Sequence, residues 1–187
     1  MSLLDLPTSP LSFPADGIRR DDLLFRLPTE QDVETVAPAF LDEELAGAAN
    51  LPRLDAEELH SLVSQVPQLL EHGRFLPLLV VDRETGEIQG GAALHHVDRE
   101  RGQAEIGYWL FEHGRGRGTA TRTARFLAAH GFSLGLERIE ARVDIGNSAS
   151  ERVLERAGFT REGILRSLPT RRGGRVDQTV FSLLPGE

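Results

Sequence analysis

Cysteine is missing from this chain, and so is lysine: all 21 basic residues are arginine. Without thiols there are no disulfide staples and no cysteine nucleophile. Without a side-chain amine there is no Walker phosphate loop, which needs Gly-Lys-Ser/Thr, and no Schiff-base or pyridoxal-phosphate chemistry. Any anion bound here is therefore held by arginine, by backbone N–H groups, or by both. An arginine-favouring codon bias accounts for the composition equally well, and the exclusions stand either way. No uninterrupted apolar stretch approaches the ~18 residues of a membrane span. The opening MSLLDLPTSP has no basic region before an apolar core, so it does not read as a secretory signal. With 40% hydrophobic and 27% charged residues over 187 positions, the expectation is one globular domain, cytoplasmic and bacterial in type, with no membrane partner.

The net charge of −8 is unevenly spread. Residues 1–97 carry 6 arginines against 17 acids, and residues 98–187 carry 15 against 12. An acidic protein is a poor ligand for nucleic acid, so none is expected as a partner. The cationic second half could receive a small polyanion. The acidic helical region, with Asp42, Glu43, Glu44, Glu57 and Glu58, could face a cationic substrate or simply be solvated.

Residues 1–20, rich in Pro, Ser and Asp, are expected as an extended arm, with one domain over 21–187. Leu23 to Leu27 reads as a strand ended by Pro28, and Thr29 opens a helix limited or kinked by Pro38. A second helix runs from about Asp55, with an irregularity at Pro67. After Gly73 the apolar period shortens. Phe75–Val81, Ile88–Val97 and Ala104–Phe111 read as three strands joined by tight turns, an antiparallel meander. A Gly/Arg loop follows, then a helix from Thr119 to about Leu134, a strand Ile139–Val143, a helix Asn147–Ala157 stopped by Gly158, and a closing hairpin. The strand–loop–helix–strand unit over 104–143 is a βαβ crossover, which makes its two strands parallel. The fold class is therefore α/β: one mixed, mostly antiparallel sheet with helices on both faces.

The segment His113-Gly-Arg-Gly-Arg-Gly-Thr-Ala-Thr121 lies between a strand and a helix. Its glycines let the backbone turn N–H groups outward, and the following helix presents about +0.5 of an elementary charge at its N-terminus. Arg115 and Arg117 add full charges with forked donors. Together these suit a pyrophosphate, although a plain glycine turn would use the same residues.

The run from Glu105 to Arg166 resembles the GNAT superfamily of acetyl-CoA-dependent N-acetyltransferases, and within it the Rim-type branch of ribosomal-protein N-terminal acetyltransferases. The superfamily's Arg/Gln-x-x-Gly-x-Gly/Ala signature lies on Arg115, Gly118 and Ala120, and the branch's Asn-x-x-Ser followed by Gly-Phe on Asn147, Ser150, Gly158 and Phe159. The resemblance implies a splayed parallel strand pair, acetyl-CoA as co-substrate and an amine acceptor, with a homodimer as the family's habit. It implies that Arg115, Gly116, Arg117, Gly118, Thr119, Ala120 and Thr121 cradle the pyrophosphate. The main chain of Trp109, Leu110 and Phe111 would pair with the pantetheine arm, Ser150 would sit by the sulfur, and Asn147 would contact the cofactor while capping its helix. Direct transfer from thioester to amine asks for a base, a polarised carbonyl and a donor for the departing thiolate. Glu105 is the candidate base, against a plain ion pair with an arginine of a neighbouring strand. Ser150 is the candidate acid, because Tyr108, the sole tyrosine, falls in the wrong strand. Where ribosomal enzymes of this branch carry a glutamate, this chain reads Ser167-Leu-Pro169. Asp177 is a weaker candidate for touching the amine.

Adjacent strand residues point to opposite faces, so His95 and His96 are not expected to share an ion, and no metal is expected. Sheet packing, or a base role for one of them, is the alternative. The acceptor is expected to be a protein or peptide N-terminus, with a small amine (aminoglycoside, polyamine or amino acid) or a catalytically silent coenzyme A sensor as the other readings.

Overall fold

Apolar periodicity, tight turns and three side-chain helix caps, at Asp42, Asp55 and Asn147, generate most of the architecture. The computed structural model describes residues 9–187. Along the chain come β1 (Ile18–Arg20), β2 (Leu23–Arg26), α1 (Val33–Leu41), α2 (Glu43–Ala48), α3 (Ala56–Ser64), α4 (Val66–His72), β3 (Leu76–Asp82), β4 (Ile88–Asp98) and β5 (Gln103–Leu110). Then follow α5 (Thr119–Ser133), β6 (Arg138–Asp144), α6 (Ser148–Ala157), β7 (Thr160–Pro169) and β8 (Arg175–Leu183). The strands form one sheet in the order β1-β2-β3-β4-β5-β6-β8-β7, in which β5 and β6 are the parallel pair and the other neighbours are antiparallel.

Pro67 lies in the first turn of α4, where the missing N–H costs nothing, and it divides into α3 and α4 what periodicity reads as one helix. The short α2, not expected from the sequence, is started by Asp42, whose carboxylate accepts from the Leu45 amide at 2.8 Å. Of the stretch expected as an arm, residues 1–8 lie outside the described residues. Leu11 is buried in the main core, and Ile18–Arg20 pair with β2.

The strand residues divide cleanly between two layers. Leu76, Leu78 and Val80 of β3, Ala104 and Ile106 of β5, and Ile139, Ala141 and Val143 of β6 pack under α5 and α6 with Leu127 and Leu154. Leu79, Val81 and Trp109 point the other way, against Val36 and Ala39 of α1. Helices thus cover both faces. Emptying the fully buried Leu127 to alanine is expected to cost about 2–5 kcal/mol.

Candidate functional site

β5 and β6 are paired only at Gln103–Arg138, Ala104–Ile139 and Glu105–Glu140. Beyond Glu105, β5 stays with β4 while β6 stays with β8. The sheet therefore forks after Glu105, with α5 and α6 on one side and α1 and α2 on the other.

At the fork's mouth the chain leaves β5 through a short 3-10 turn, Glu112–Gly114, and enters α5. The Arg115 amide donates to the Glu112 carbonyl at 3.0 Å and its Nε to the Leu110 carbonyl at 3.1 Å, so Arg115 ties the loop to the strand end. Gly116 and Gly118 sit at φ +77° and +76°, a conformation that costs other residues strain, and a Cβ on either would meet nothing within 4 Å. Among the described residues, the amides of 116–121 donate to no protein acceptor. No side chain caps α5. This is a ready anion nest, and it opens on empty space. Arg117 is exposed beside it.

On the α5/α6 side of the fork, Asn147 caps α6 by accepting from the Ser150 amide at 3.1 Å, while its Nδ2 donates to the Ala48 carbonyl of α2 at 3.3 Å. Ser150 lies in the first turn of α6 and faces Tyr108. The Tyr108 hydroxyl is buried without a partner of hydrogen-bonding geometry, and burial pushes its pKa up to about 12, with Ser150 close enough to oppose the rise. Tyr108 does lie in β5, the strand before the loop. It lies past the last β5–β6 pair, so it borders the opening, and its neighbour there is Ser150 in the first turn of α6.

On the opposite face stands Glu105, its side chain 13% exposed. Its cross-strand partner is His95, with Nε2 3.9 Å from Oε1. His96 Nδ1 is 3.2 Å from Oε2, and Arg142 Nε of β6 is 3.5 Å from the same oxygen. The expectation that the two histidines point apart fails because β4 bulges between His95 and Asp98 and His96 adopts φ +52°. The left-handed residue turns both rings toward Glu105, with their Nδ1 atoms 3.4 Å apart. Burial drives the His95 pKa down to about 4 against the pull of Glu105, with His96, Arg171 and Arg142 adding to the fall, so the ring is neutral near pH 7. A cavity of about 140 Å³ lies beside the cluster, lined by His96, Gln103, Ala104, Glu105, Glu140 and Arg142.

The hairpin tip after β7 reaches over this face: the Arg171 amide donates to Asn50 Oδ1 at 2.8 Å, and Arg172 Nη1 to the Phe40 carbonyl at 3.1 Å. Several acids of the helical region are engaged locally. Asp42 and Asp55 cap helices, Glu58 completes a capping box, and Glu43 pairs with Arg53 and Arg172. The Trp109 indole is enclosed by Phe40 and Phe111, with centroids at 6.1 and 5.0 Å, so its side chain belongs to the core and only its main chain faces other duties. Asp177 accepts from the Ser167 amide at 2.8 Å, and Ser167 Oγ accepts from Arg175 at 2.8 Å. Both hold the hairpin together. The structure thus brings Glu105 together with both histidines, and Ser150 together with Tyr108, on opposite sides of one opening.

Comparison with known proteins places this geometry. Residues 22–160 match the model of the acetyltransferase (GNAT) domain. The chain is 31% identical over 159 residues to an uncharacterised N-acetyltransferase, p20, of Bacillus licheniformis, covering 84% of this chain and 89% of that protein. It is 32% identical to the uncharacterised N-acetyltransferase YoaA of Bacillus subtilis (strain 168), covering 89% and 96%. The solved structure of Mycobacterium smegmatis RimJ in complex with CoA-disulfide superposes with a TM-score of 0.76 at 26% identity, over 96% of this chain and 88% of that one.

Proposed function

Because this chain belongs to the GNAT family of acetyltransferases, we propose that the fork is its active site and that it carries acetyl from acetyl-CoA directly to the N-terminal α-amine of a protein or peptide. The observation that carries this reading is the row of unpartnered amides at residues 116–121 where the fork opens. Residues Gly116 to Thr121 would hold the pyrophosphate through main-chain N–H groups and the positive end of α5, with Arg117 adding charge. Arg115 contributes differently: its amide and Nε are already used within the chain, so it shapes the loop. The likeness to a RimJ bound to CoA-disulfide supports a coenzyme A site on this fold.

The chemistry then divides across the sheet. Glu105, from the α1/α2 face, accepts a proton from the incoming ammonium, directly or through one water in the cavity beside it. Tyr108 and Ser150, from the α5/α6 face, present hydroxyls toward the departing sulfur. A phenol with a pKa of about 12 is a weaker acid by ~3.5 units than a thiol near 8.5, so full transfer to the thiolate is uphill by roughly 5 kcal/mol. Tyr108 therefore stabilises the thiolate as a hydrogen-bond donor, and the proton comes from the reacting amine.

One partly exposed carboxylate is a modest base. Removing a proton from a lysine side chain near pKa 10.4 costs about 2.6 units, or roughly 3.5 kcal/mol, more than from an α-amine near 7.8. This favours the α-amine acceptor. Free thiol release from acetyl-CoA, followed with short peptides, free amino acids, spermidine and an aminoglycoside, tests the assignment. Peptides with free N-termini are expected to give the highest kcat/KM, and N-blocked, lysine-bearing versions none. Preference for a small amine would move the acceptor to that class, and binding of acetyl-CoA without amine-dependent release would make the chain a sensor.

A further inference from the structure

The bulge in β4 assembles something that amine acetylation does not call for. His96 stands at φ +52° inside a strand, a left-handed conformation that strains a non-glycine residue. Its result is that two imidazoles and a carboxylate converge, each offering one ligand atom within 4.8 Å of the others. We propose that His95, His96 and Glu105 form a site for a first-row divalent transition ion of the zinc type.

The donor set is two imidazoles and one carboxylate, the combination that open tetrahedral zinc sites use. In such a site bonds of about 2.0–2.2 Å place neighbouring ligand atoms roughly 3.3–3.5 Å apart. Here the two histidine Nδ1 atoms are 3.4 Å apart and His96 Nδ1 is 3.2 Å from Glu105 Oε2, so closure needs little movement along those edges. His96 is exposed, which gives an ion a way in, and the adjoining cavity of about 140 Å³ leaves room for water at the remaining position.

The surroundings set the affinity. Arg142 lies 3.5 Å from Glu105 and also 3.5 Å from Glu140, so an ion that takes Glu105 leaves the guanidinium to Glu140. Arg142 and Arg171 oppose the ion's charge, and Glu140 offsets part of that opposition. If Glu105 is the base of the proposed reaction, a loaded site also silences transfer. That consequence rests on the proposed function, whereas binding does not.

The test uses the full chain without a histidine tag. Equilibrium dialysis against Zn2+, and the visible d–d bands of Co2+, give stoichiometry and ligand geometry with no reference to turnover. Wild type is expected to hold one equivalent at micromolar Zn2+ and to give an intense four-coordinate Co2+ spectrum. His96→Gly keeps the left-handed backbone without an imidazole; it is expected to bind at least tenfold more weakly while melting no lower than wild type in metal-free buffer. Arg142→Met is expected to bind severalfold more tightly. His60→Gln, at the separate His60, Glu30 and Glu34 group, should leave binding unchanged. No binding by wild type at these concentrations overturns the proposal, as does equal binding by His96→Gly. Loaded protein that still transfers acetyl at full rate would count against Glu105 as the base and not against the metal site.

Discussion

The two sides of the fork are built from different materials. On the α5/α6 side, the anion nest is main chain: amides of residues 116–121 held outward by two glycines at positive φ. On the α1/α2 side, Glu105, His95, His96 and Arg142 are side chains from three strands, placed by a bulge and by cross-strand register. A main-chain site tolerates almost any side chain but depends on its glycines. A side-chain site depends on identity at each position and can change its chemistry by one substitution. The comparison therefore predicts that cofactor binding and turnover can be broken separately.

The largest effect belongs to the nest. Gly118→Trp puts a bulky residue at φ +76° into the open space over the α5 N-terminus, and is expected to weaken acetyl-CoA binding by ~100-fold or more, read by calorimetry. Circular dichroism should show the fold retained. Next, Glu105→Gln removes the proposed base and is expected to lower kcat by about 10²–10³-fold, in line with the loss of one general base. Smaller again, Tyr108→Phe deletes a buried hydroxyl that lacks a partner, so kcat should drop by roughly tenfold while stability holds or rises slightly. Ser150→Ala should cost severalfold in kcat with little change in acetyl-CoA affinity. Equal loss of affinity would assign Ser150 to binding.

The smallest effects are on stability against pH, and they separate the two layers. His130 of α5 stacks on Phe126 and meets Phe13 edge to face, and burial holds its pKa below the ordinary value. A folded-state pKa below the unfolded one means stability that is full above about pH 6.5 and declines as pH falls below it. Asp32, just before α1, meets a desolvation cost, but the Arg26 fork at 2.6 and 2.7 Å and bonds from Thr29 prevail and hold its pKa below the ordinary range. Its contribution is present above about pH 3.9 and is lost only as pH falls further. Urea midpoints should thus fall as pH drops below about 6.5, with the buried His95, whose pKa is pushed down to about 4, adding to His130; His130→Phe is expected to shrink this decline without abolishing it. They should fall further below about pH 4, a loss that Asp32→Asn is expected to reduce, with Glu162 and Asp82, also held below the ordinary carboxylate range, contributing the rest.

How much could be read in advance follows the same division. Strands, helices and the glycine loop came from local signals: apolar period, Asn147 and Gly158 at the ends of α6, and glycines before α5. The parallel pair followed from the crossover rule. The side-chain face resisted because its geometry is non-local. Nothing near His96 announces a left-handed residue, so strict alternation separated it from His95. Tyr108 was set aside because strand membership was known before the length of the β5–β6 pairing was. The six-residue α2 carries too little periodicity to stand out, although Asp42 three residues before Leu45 was a readable cap.

On the proposed function, the anion nest and the carboxylate cluster work as independent halves of one site. The dissociation constant of acetyl-CoA for Glu105→Gln, measured by calorimetry beside its turnover, tests it most directly. The expected result is affinity within about twofold of wild type with turnover nearly abolished. Affinity lost in parallel with turnover would contradict it.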